Sequence, residues 1–238
     1  MKILIISDIH ANLWALTAVE REAGVVDHVL FAGDAVNYGP RPREVVSWLR
    51  ERHAIAVRGN HDHAVAFAAD PRAAASKQAI ALAMRDWTRS QLDEDDRRWL
   101  GQLPLTLERD IAGVSFALCH ATISDPLFDY RLGPTASDWL LREVAAGIDA
   151  DVLVLGHTHL PMIRPRNGSM VVNPGSVGQP LDGDARAAFA LWEDGQMASW
   201  RVAYNTHAAI AALQEVPLRP EYRTALIRTL QTGRAESE

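Results

Sequence analysis

Five short polar motifs, each directly after an apolar run, constrain this chain most: Ser7-Asp8-Ile9-His10, Gly33-Asp34, Gly59-Asn60-His61-Asp62, Cys119-His120 and Gly156-His157-Thr158-His159. The runs before them are short and rich in β-branched residues, as strands buried on both faces are. Lys2–Ser7, Val26–Ala32 and Ala54–Arg58 read as strands, separated by a helix that Asn12 caps and Gly24 ends near Ala23, and by a second over Pro42–Arg52. Strand–helix–strand alternation predicts a layered α/β fold. In such folds ligands gather beyond the carboxyl ends of strands, where every motif falls.

From Ala64 to Leu103 the rhythm changes to a segment rich in Ala, Arg, Asp and Glu. It predicts two or three helices with an apolar face that includes Ile80, Met84, Trp87, Leu92, Trp99 and Leu103. Such a segment either packs as a helical layer or caps a site. Strands resume at about Leu105–Arg109 and Val114–Cys119, followed by a helix over about Thr135–Ala146 and a strand at Asp151–Leu155. Hairpins are expected over Met162–Val172, around Asn167-Gly168, and from Ala187 to Ala203, around Asp194-Gly195. Helices from about Thr206 and Glu221 close the chain, with fraying expected from Gly233. Nothing demands a second domain across residues 1–238.

A net charge of −6 argues against a broad nucleic-acid surface. Cys119 is alone, so no internal disulfide forms, and it reads as a core residue. The apolar start at Met1–Ile6 is too short for a signal or membrane segment, so no membrane partner and a cytoplasmic location are expected.

The motifs supply Asp8, Asp34, Asn60, His10, His120, His157 and His159, a full ligand set for two adjacent divalent ions, with His61 left over. Paired ions imply hydrolysis of a phosphate ester. Asp8 and His10 stand two apart at a strand end, which points both side chains to one side, and His157 and His159 repeat the spacing. Oxygen and imidazole donors suit Mn²⁺, Fe, Zn²⁺ or Co²⁺, and the lone cysteine argues against a thiolate site. His28, His53, His63 and His207 lack motif context and read as surface or packing residues. Pro174 and Gly175 either shape a turn or line the site through backbone amides.

In the order Asp-x-His, Gly-Asp, Gly-Asn-His-Asp, His, Gly-His-x-His, the chain resembles the calcineurin-like metallophosphoesterases over residues 1 to about 180. The phrases from Gly33 to Pro40 and from Asn173 to Pro180 resemble its small prokaryotic branch, with phosphodiesterase and diadenosine-tetraphosphatase-like members. The resemblance implies a four-layer α-β-β-α sandwich, two mixed sheets flanked by helices, with a helical cap insertion. It implies Asp8, His10 and His159 on one ion and Asn60, His120 and His157 on the other, with Asp34 bridging and Mn²⁺ preferred. A hydroxide held between the ions would attack phosphorus in line. His61 would stabilise the developing charge or protonate the leaving oxygen, and Asp62 would orient a histidine.

In the related serine/threonine protein phosphatases an aspartate and an arginine stand where this chain has Asn37 and Tyr38. A phenol is a weaker partner than a guanidinium for a dianionic monoester. A small phosphodiester or nucleotide-like substrate is therefore favoured, contacted by Asn37, Tyr38 and Arg131. Arg41, Arg43 and Arg58 are further candidates for positive charge. Phosphomonoesters, phosphoproteins and dinucleoside polyphosphates remain open. A non-catalytic scaffold on the same fold is disfavoured because every ligand position is retained, and exposed apolar residues of the helical segment leave a homodimer open.

Overall fold

The computed structural model describes residues 1–166 and 168–235; Asn167 of the expected turn and the last three residues lie outside it. The first half runs β1 (Lys2–Ile6), α1 (Leu13–Ala23), β2 (His28–Phe31), α2 (Pro42–Glu51), β3 (Ile55–Ala56), α3 (Asn60–Phe67), a 3₁₀ turn (Ala75–Lys77), α4 (Gln78–Gln91) and α5 (Glu94–Gln102). The second runs β4 (Thr106–Ile111), β5 (Val114–Cys119), α6 (Asp138–Val144), β6 (Val152–Val154), β7 (Met162–Arg166), β8 (Ser169–Asn173), β9 (Ala187–Glu193), β10 (Gln196–Val202), α7 (Thr206–Gln214) and α8 (Pro220–Thr232).

Two five-stranded sheets form, in the orders β10-β9-β1-β2-β3 and β4-β5-β6-β8-β7. Both are mixed: β1, β2 and β3 run parallel with β9 antiparallel to β1, and β5, β6 and β8 run parallel between antiparallel β4 and β7. The alternation of β1 builds two layers at once. Ile3 and Ile5 face the other sheet and pack in a cluster with Leu30, Phe116, Leu118 and Val154. Leu4 and Ile6 face outward into a cluster with Leu16 and Val19 of α1 and Val45 and Leu49 of α2. On the outer face of the second sheet, Ala117, Leu153 and Val171 meet Leu141 and Val144 of α6. The expected helix–sheet–sheet–helix sandwich is the observed one.

The segment after the third motif divides into two parts. Leu92, Leu100 and Leu103 join Val65 and Val45 in the core beside α2, a packing role. Ile80, Ala81 and Met84 of α4 instead pack with Leu213, Leu226 and Leu230 of α7 and α8 around Tyr38. Local chemistry accounts for the shifted boundaries. The Ser137 hydroxyl accepts the Leu140 N–H and starts α6 at Asp138, three residues later than expected. Gly233 ends α8 in a left-handed cap, and its carbonyl accepts the Gly183 N–H at 2.8 Å, so the chain is anchored where fraying was expected. No helix of the described residues is long and apolar enough to cross a membrane.

Candidate metal centre

β1 ends at Ile6 and β6 at Val154, so the first and last motifs lie beyond their strands rather than on them. Asp8, His10, Asp34, His157 and His159 all adopt left-handed backbone, with φ of 53°, 47°, 62°, 68° and 60°. Strand alternation therefore does not set their directions, contrary to the two-residue argument; a run of tight turns does. Each such residue costs about 1 kcal/mol or more and persists only where neighbours hold it. The Asp8 and His10 N–H groups bond to the carbonyls of Gly33 and Asp34 at 2.9 and 3.0 Å, joining the first two motifs. Gly33 itself has φ 95°, and a Cβ there would lie 2.7 Å from both the Gly59 nitrogen and His120 Nδ1. The Asn173–Gln179 loop grips from the other side: Ser176 Oγ and the Gly178 N–H both donate to the Asp8 carbonyl. Its Val177 and Gly178 amides hold the ligand loop's backbone, and the Gly175 N–H closes on Asn173 Oδ1 at 2.9 Å, a turn role.

The seven expected donors converge as two groups. In the first, His10 Nε2 and His159 Nε2 face each other at 3.1 Å, and Asp8 Oδ1 lies 3.3 Å from His159 Nε2. In the second, Asn60 Oδ1, His120 Nε2 and His157 Nδ1 lie 3.1 to 3.2 Å from one another. Asp34 Oδ2 stands between the groups, 3.8 Å from His10 Nε2 and 3.2 Å from His120 Nε2. All seven residues are buried.

Hydrogen bonds behind the donors fix which atoms face inward. His10, His120 and His159 each present Nδ1 to a backbone carbonyl, of Val36, Ala32 and Gln179, at 3.2, 2.7 and 2.6 Å. A carbonyl accepts only, so Nδ1 carries a proton and, in the neutral ring, each Nε2 turns a lone pair inward. The Asn60 amide nitrogen donates to the Pro71 carbonyl at 2.7 Å, which likewise turns its oxygen inward. Asp8 Oδ1 is buried without a hydrogen-bond partner. Lone pairs facing lone pairs at hydrogen-bond distance repel unless cations lie among them, and these donors fit two divalent ions.

Charge divides the rings: two are held neutral, and without an ion the His120 ring keeps a second proton, on the Nε2 that faces Asp34. Burial and the neighbouring His159 hold His10 well below the ordinary imidazole range, and burial with His120 does the same for His157. Burial opposes charge on His120 too, but Asp34 and Asp8 outweigh it and raise that ring to about 9. Although burial alone would raise Asp34, the His120, His61 and His10 rings hold it well below the usual carboxylate range.

His61 belongs to neither group. Its N–H donates to Asp34 Oδ1 at 2.9 Å, and its Nδ1 lies 2.7 Å from Asn37 Nδ2. The Asn37 amide cannot be turned round, since Oδ1 accepts the Tyr38 N–H and Nδ2 donates to the Ala81 carbonyl. His61 Nδ1 is therefore an acceptor and Nε2 carries the ring proton. Burial lowers this imidazole to about 4. Tyr38 packs its ring 4.7 Å from that of His61 and 5.0 Å from that of His10.

Asp62 orients no histidine; this corrects the sequence expectation. Its oxygens accept four backbone N–H bonds, from Asp34, Ala35, Val36 and Gly59, at 2.8 to 3.3 Å. As the third residue of α3 it folds back over the helix start and ties it to the Asp34 loop. Burial, with the Asp34 charge beside it, pushes its carboxyl up to about 7.

The two donor groups open onto a cavity of roughly 120 Å³ whose outer wall includes Tyr38, Lys77, Tyr130, Gln179 and Leu181. Arg131 is not brought there: Asp129 and Glu143 hold its guanidinium at the exposed surface. Arg58 lies over Phe67, Arg41 over Trp14, and Arg43 pairs with Asp93 and Asp96. His63 packs on Phe67. Motif reading missed Lys77, Gln179 and Tyr130, whose ring lies 3.8 Å from that of His157. Gln179 lies in the Asn173–Pro180 phrase but carries no donor typical of a metal or catalytic site, and Lys77 and Tyr130 sit in no motif, reaching the site from a 3₁₀ turn and a loop.

The profile of the calcineurin-like phosphoesterase superfamily domain matches residues 1–194. An uncharacterised protein of Methanocaldococcus jannaschii is 30% identical over 209 residues, covering 81% of this chain and 82% of its own. The crystal structure of a metallophosphoesterase from Sphaerobacter thermophilus superposes with a TM-score of 0.82 at 32% identity, over 98% of this chain and 100% of that one. A symmetrical bis(5′-nucleosyl)-tetraphosphatase of Nitrosococcus oceani is 36% identical over 98 residues, 40% of this chain and 33% of that protein.

Proposed function

Because the chain belongs to the calcineurin-like phosphoesterase superfamily and is a metal-dependent phosphoesterase, we propose that it hydrolyses a small phosphodiester with two divalent ions, Mn²⁺ preferred. The observation that carries the reading is the shared oxygen: Asp34 Oδ2 stands between two groups of inward lone pairs. Asp8, His10 and His159 would hold one ion, and Asn60, His120 and His157 the other, with Asp34 common to both. Bound there, two ions supply Lewis-acid polarisation of the phosphoryl oxygens and a nucleophile available at neutral pH.

This chain's own residues do the rest. His61 lines the cavity and offers its Nε2–H as a neutral donor, because Asn37 holds the other nitrogen from behind. With the ring lowered to about 4, imidazolium is scarce at neutral pH, so His61 stabilises charge on a phosphoryl oxygen by hydrogen bonding rather than delivering a proton. Asn37 acts through His61 and is a positioning residue. Tyr38 walls the pocket beside it. With no arginine lining the cavity among the described residues, a singly charged diester suits the site better than a dianionic monoester. Ala73–Lys77 forms one wall, which supports a cap role for the start of the helical insert, while α5 serves packing.

Metal-stripped protein reconstituted with Mn²⁺, Fe²⁺, Zn²⁺ or Co²⁺ and offered bis(4-nitrophenyl) phosphate, 4-nitrophenyl phosphate and diadenosine tetraphosphate tests the reading. The diester is expected to give the highest kcat/KM. A clear preference for the monoester, or turnover of the polyphosphate alone, overturns it. The latter is the second reading, favoured by the identity shared with the Nitrosococcus tetraphosphatase.

A further inference from the structure

Lys77 ends the 3₁₀ turn that crosses the mouth of the cavity, and it is the sole lysine or arginine lining that cavity among the described residues. Its Nζ donates to Gln179 Oε1 at 3.3 Å and stands 5.7 Å over the Tyr38 ring. No carboxylate lies within ion-pair reach of it among the described residues, whereas Arg85 in the helix that follows is paired with Asp86. An ammonium has three donors, and one neutral amide oxygen leaves two of them for a ligand. A cation withdrawn from water without a counter-ion is costly, and it is completed when an anion arrives.

Position says which anion. Lys77 meets the Tyr38 ring, and that ring in turn meets those of His10 and His61, so the ammonium stands one aromatic neighbour away from the donors. Gln179 sets the same spacing from another direction. Its backbone carbonyl holds His159 in place, while its side-chain oxygen reaches outward to Lys77. The scissile phosphoryl group belongs to the inner layer, between the donor groups and His61. A group touching Lys77 is the next one along the substrate.

We propose that Lys77 is a specificity-determining residue that binds a second phosphate group, adjacent to the scissile phosphodiester. This rests on the phosphodiesterase reading and narrows its substrate to a diester that carries a further phosphate, as a 5′-phosphorylated dinucleotide does. Tyr38, in the place of an arginine, leaves the scissile group lightly clamped. The positive charge is moved outward to Lys77, where it reads the neighbouring group.

The dinucleotides ApA and pApA share one diester and differ only in the 5′-phosphate. The metal-loaded protein is expected to favour pApA in kcat/KM by roughly tenfold or more, the scale of a charge-assisted hydrogen bond, with the difference carried by KM. Lys77→Met should collapse that ratio toward one, and Lys77→Arg should keep most of it. Calorimetry gives an arm independent of turnover. Inorganic pyrophosphate should bind metal-loaded protein more tightly than orthophosphate, and Lys77→Met should erase the difference at unchanged metal content. An equal pApA preference in wild type and Lys77→Met, or no pyrophosphate preference in wild type, overturns the proposal. If neither dinucleotide is cleaved, the phosphodiesterase reading fails, and the pyrophosphate measurement still judges Lys77.

Discussion

Asp34→Asn is the sharpest probe of the centre, because one carboxylate oxygen serves both donor groups. The substitution is nearly isosteric, and an asparagine Oδ1 still accepts the His61 N–H that Asp34 holds at 2.9 Å. The local fold should survive while the negative charge between the two ions is lost. In wild type, one ion present at about a hundredfold above its Kd stabilises the folded state by about 2.7 kcal/mol, and two by about 5 kcal/mol. Unfolding entropy of about 2 cal/mol/K per residue gives roughly 0.5 kcal/mol/K for 238 residues, so saturating metal should raise Tm by about 10 °C.

Removing one member of a buried charge set costs roughly 3 kcal/mol, which weakens each site by about a hundredfold. At the same metal concentration the variant should then gain only about 1–2 °C. The metal-free proteins should behave differently. There, against burial, the His120, His61 and His10 rings hold Asp34 well below the usual carboxylate range, so its charge stabilises the fold and outweighs the repulsion felt by Asp62. The metal-free variant should therefore melt below metal-free wild type. Differential scanning fluorimetry of stripped protein titrated with Mn²⁺, beside elemental analysis of bound metal, reads both quantities. A shift of about 10 °C in both proteins would refute the shared role of Asp34. A metal-free variant melting several degrees lower, with the shift intact, would make Asp34 a scaffold residue only.

His61→Ala should retain both ions by elemental analysis yet lower kcat by roughly 10² or more, as loss of a preorganised donor does; undiminished turnover removes His61 from the chemistry. Asn37→Asp places an acceptor behind His61 Nδ1, which draws the neutral ring's proton to that nitrogen and raises the imidazole from about 4, so only the imidazolium still donates from Nε2 and kcat should fall as pH rises through the raised value; a wild-type profile contradicts the positioning role. Asp62→Asn exchanges an acceptor for an amide donor facing the Asp34 and Gly59 N–H groups. Loss of those charge-assisted bonds should cost about 3 kcal/mol, a fall of about 6 °C in Tm, and a fall below about 1 °C shows that the tie is dispensable. Burial lowers Lys77 to about 8, below its unfolded 10.5, so the side chain is charged beneath pH 8 and neutral above it. On pApA, kcat/KM should drop through that pH, and a profile flat to pH 9.5 argues against an anion-binding ammonium.

Ligands were legible in the sequence for a physical reason. Donors must be oxygen or imidazole, they must follow strands to reach one end of the sandwich, and few other roles place Asp-x-His or Gly-Asn-His after an apolar run. The grouping was carried by family resemblance, because Asp8 and His159 meet across 151 peptide bonds and no local rule pairs them. Two readings went elsewhere, and Lys77 was missed. Asp62 was expected to seek a histidine charge, yet its place three residues after Gly59 is a capping-box spacing, and orphan amides at a helix start outcompete a distant ring. Arg131 was expected at the substrate, but Asp129, two residues away, takes its guanidinium first. Lys77 left no signal, since its meaning depends on a 3₁₀ turn crossing a cavity that only the tertiary fold creates.

The donors owe their positions to main-chain atoms. The Val36, Ala32 and Gln179 carbonyls set three histidine tautomers, the Pro71 carbonyl orients Asn60, and Asp62 collects the amides of residues 34 to 36. Left-handed conformations at Asp8, His10, Asp34, His157 and His159 are the strain this arrangement stores, offset by the bonds from Ser176 and Gly178 to the Asp8 carbonyl. A site held this way presents its lone pairs at fixed spacing before any ion arrives, so binding need not order the ligands. It also divides tolerance unevenly along the chain. Changing the side chain of Val36 or Ala32 leaves the carbonyl anchor in place, whereas any side chain at Gly178 would collide with the Ile9 carbonyl and lever apart the loop that carries Asp8 and His10. The constraint at the centre therefore falls on backbone path as much as on ligand identity.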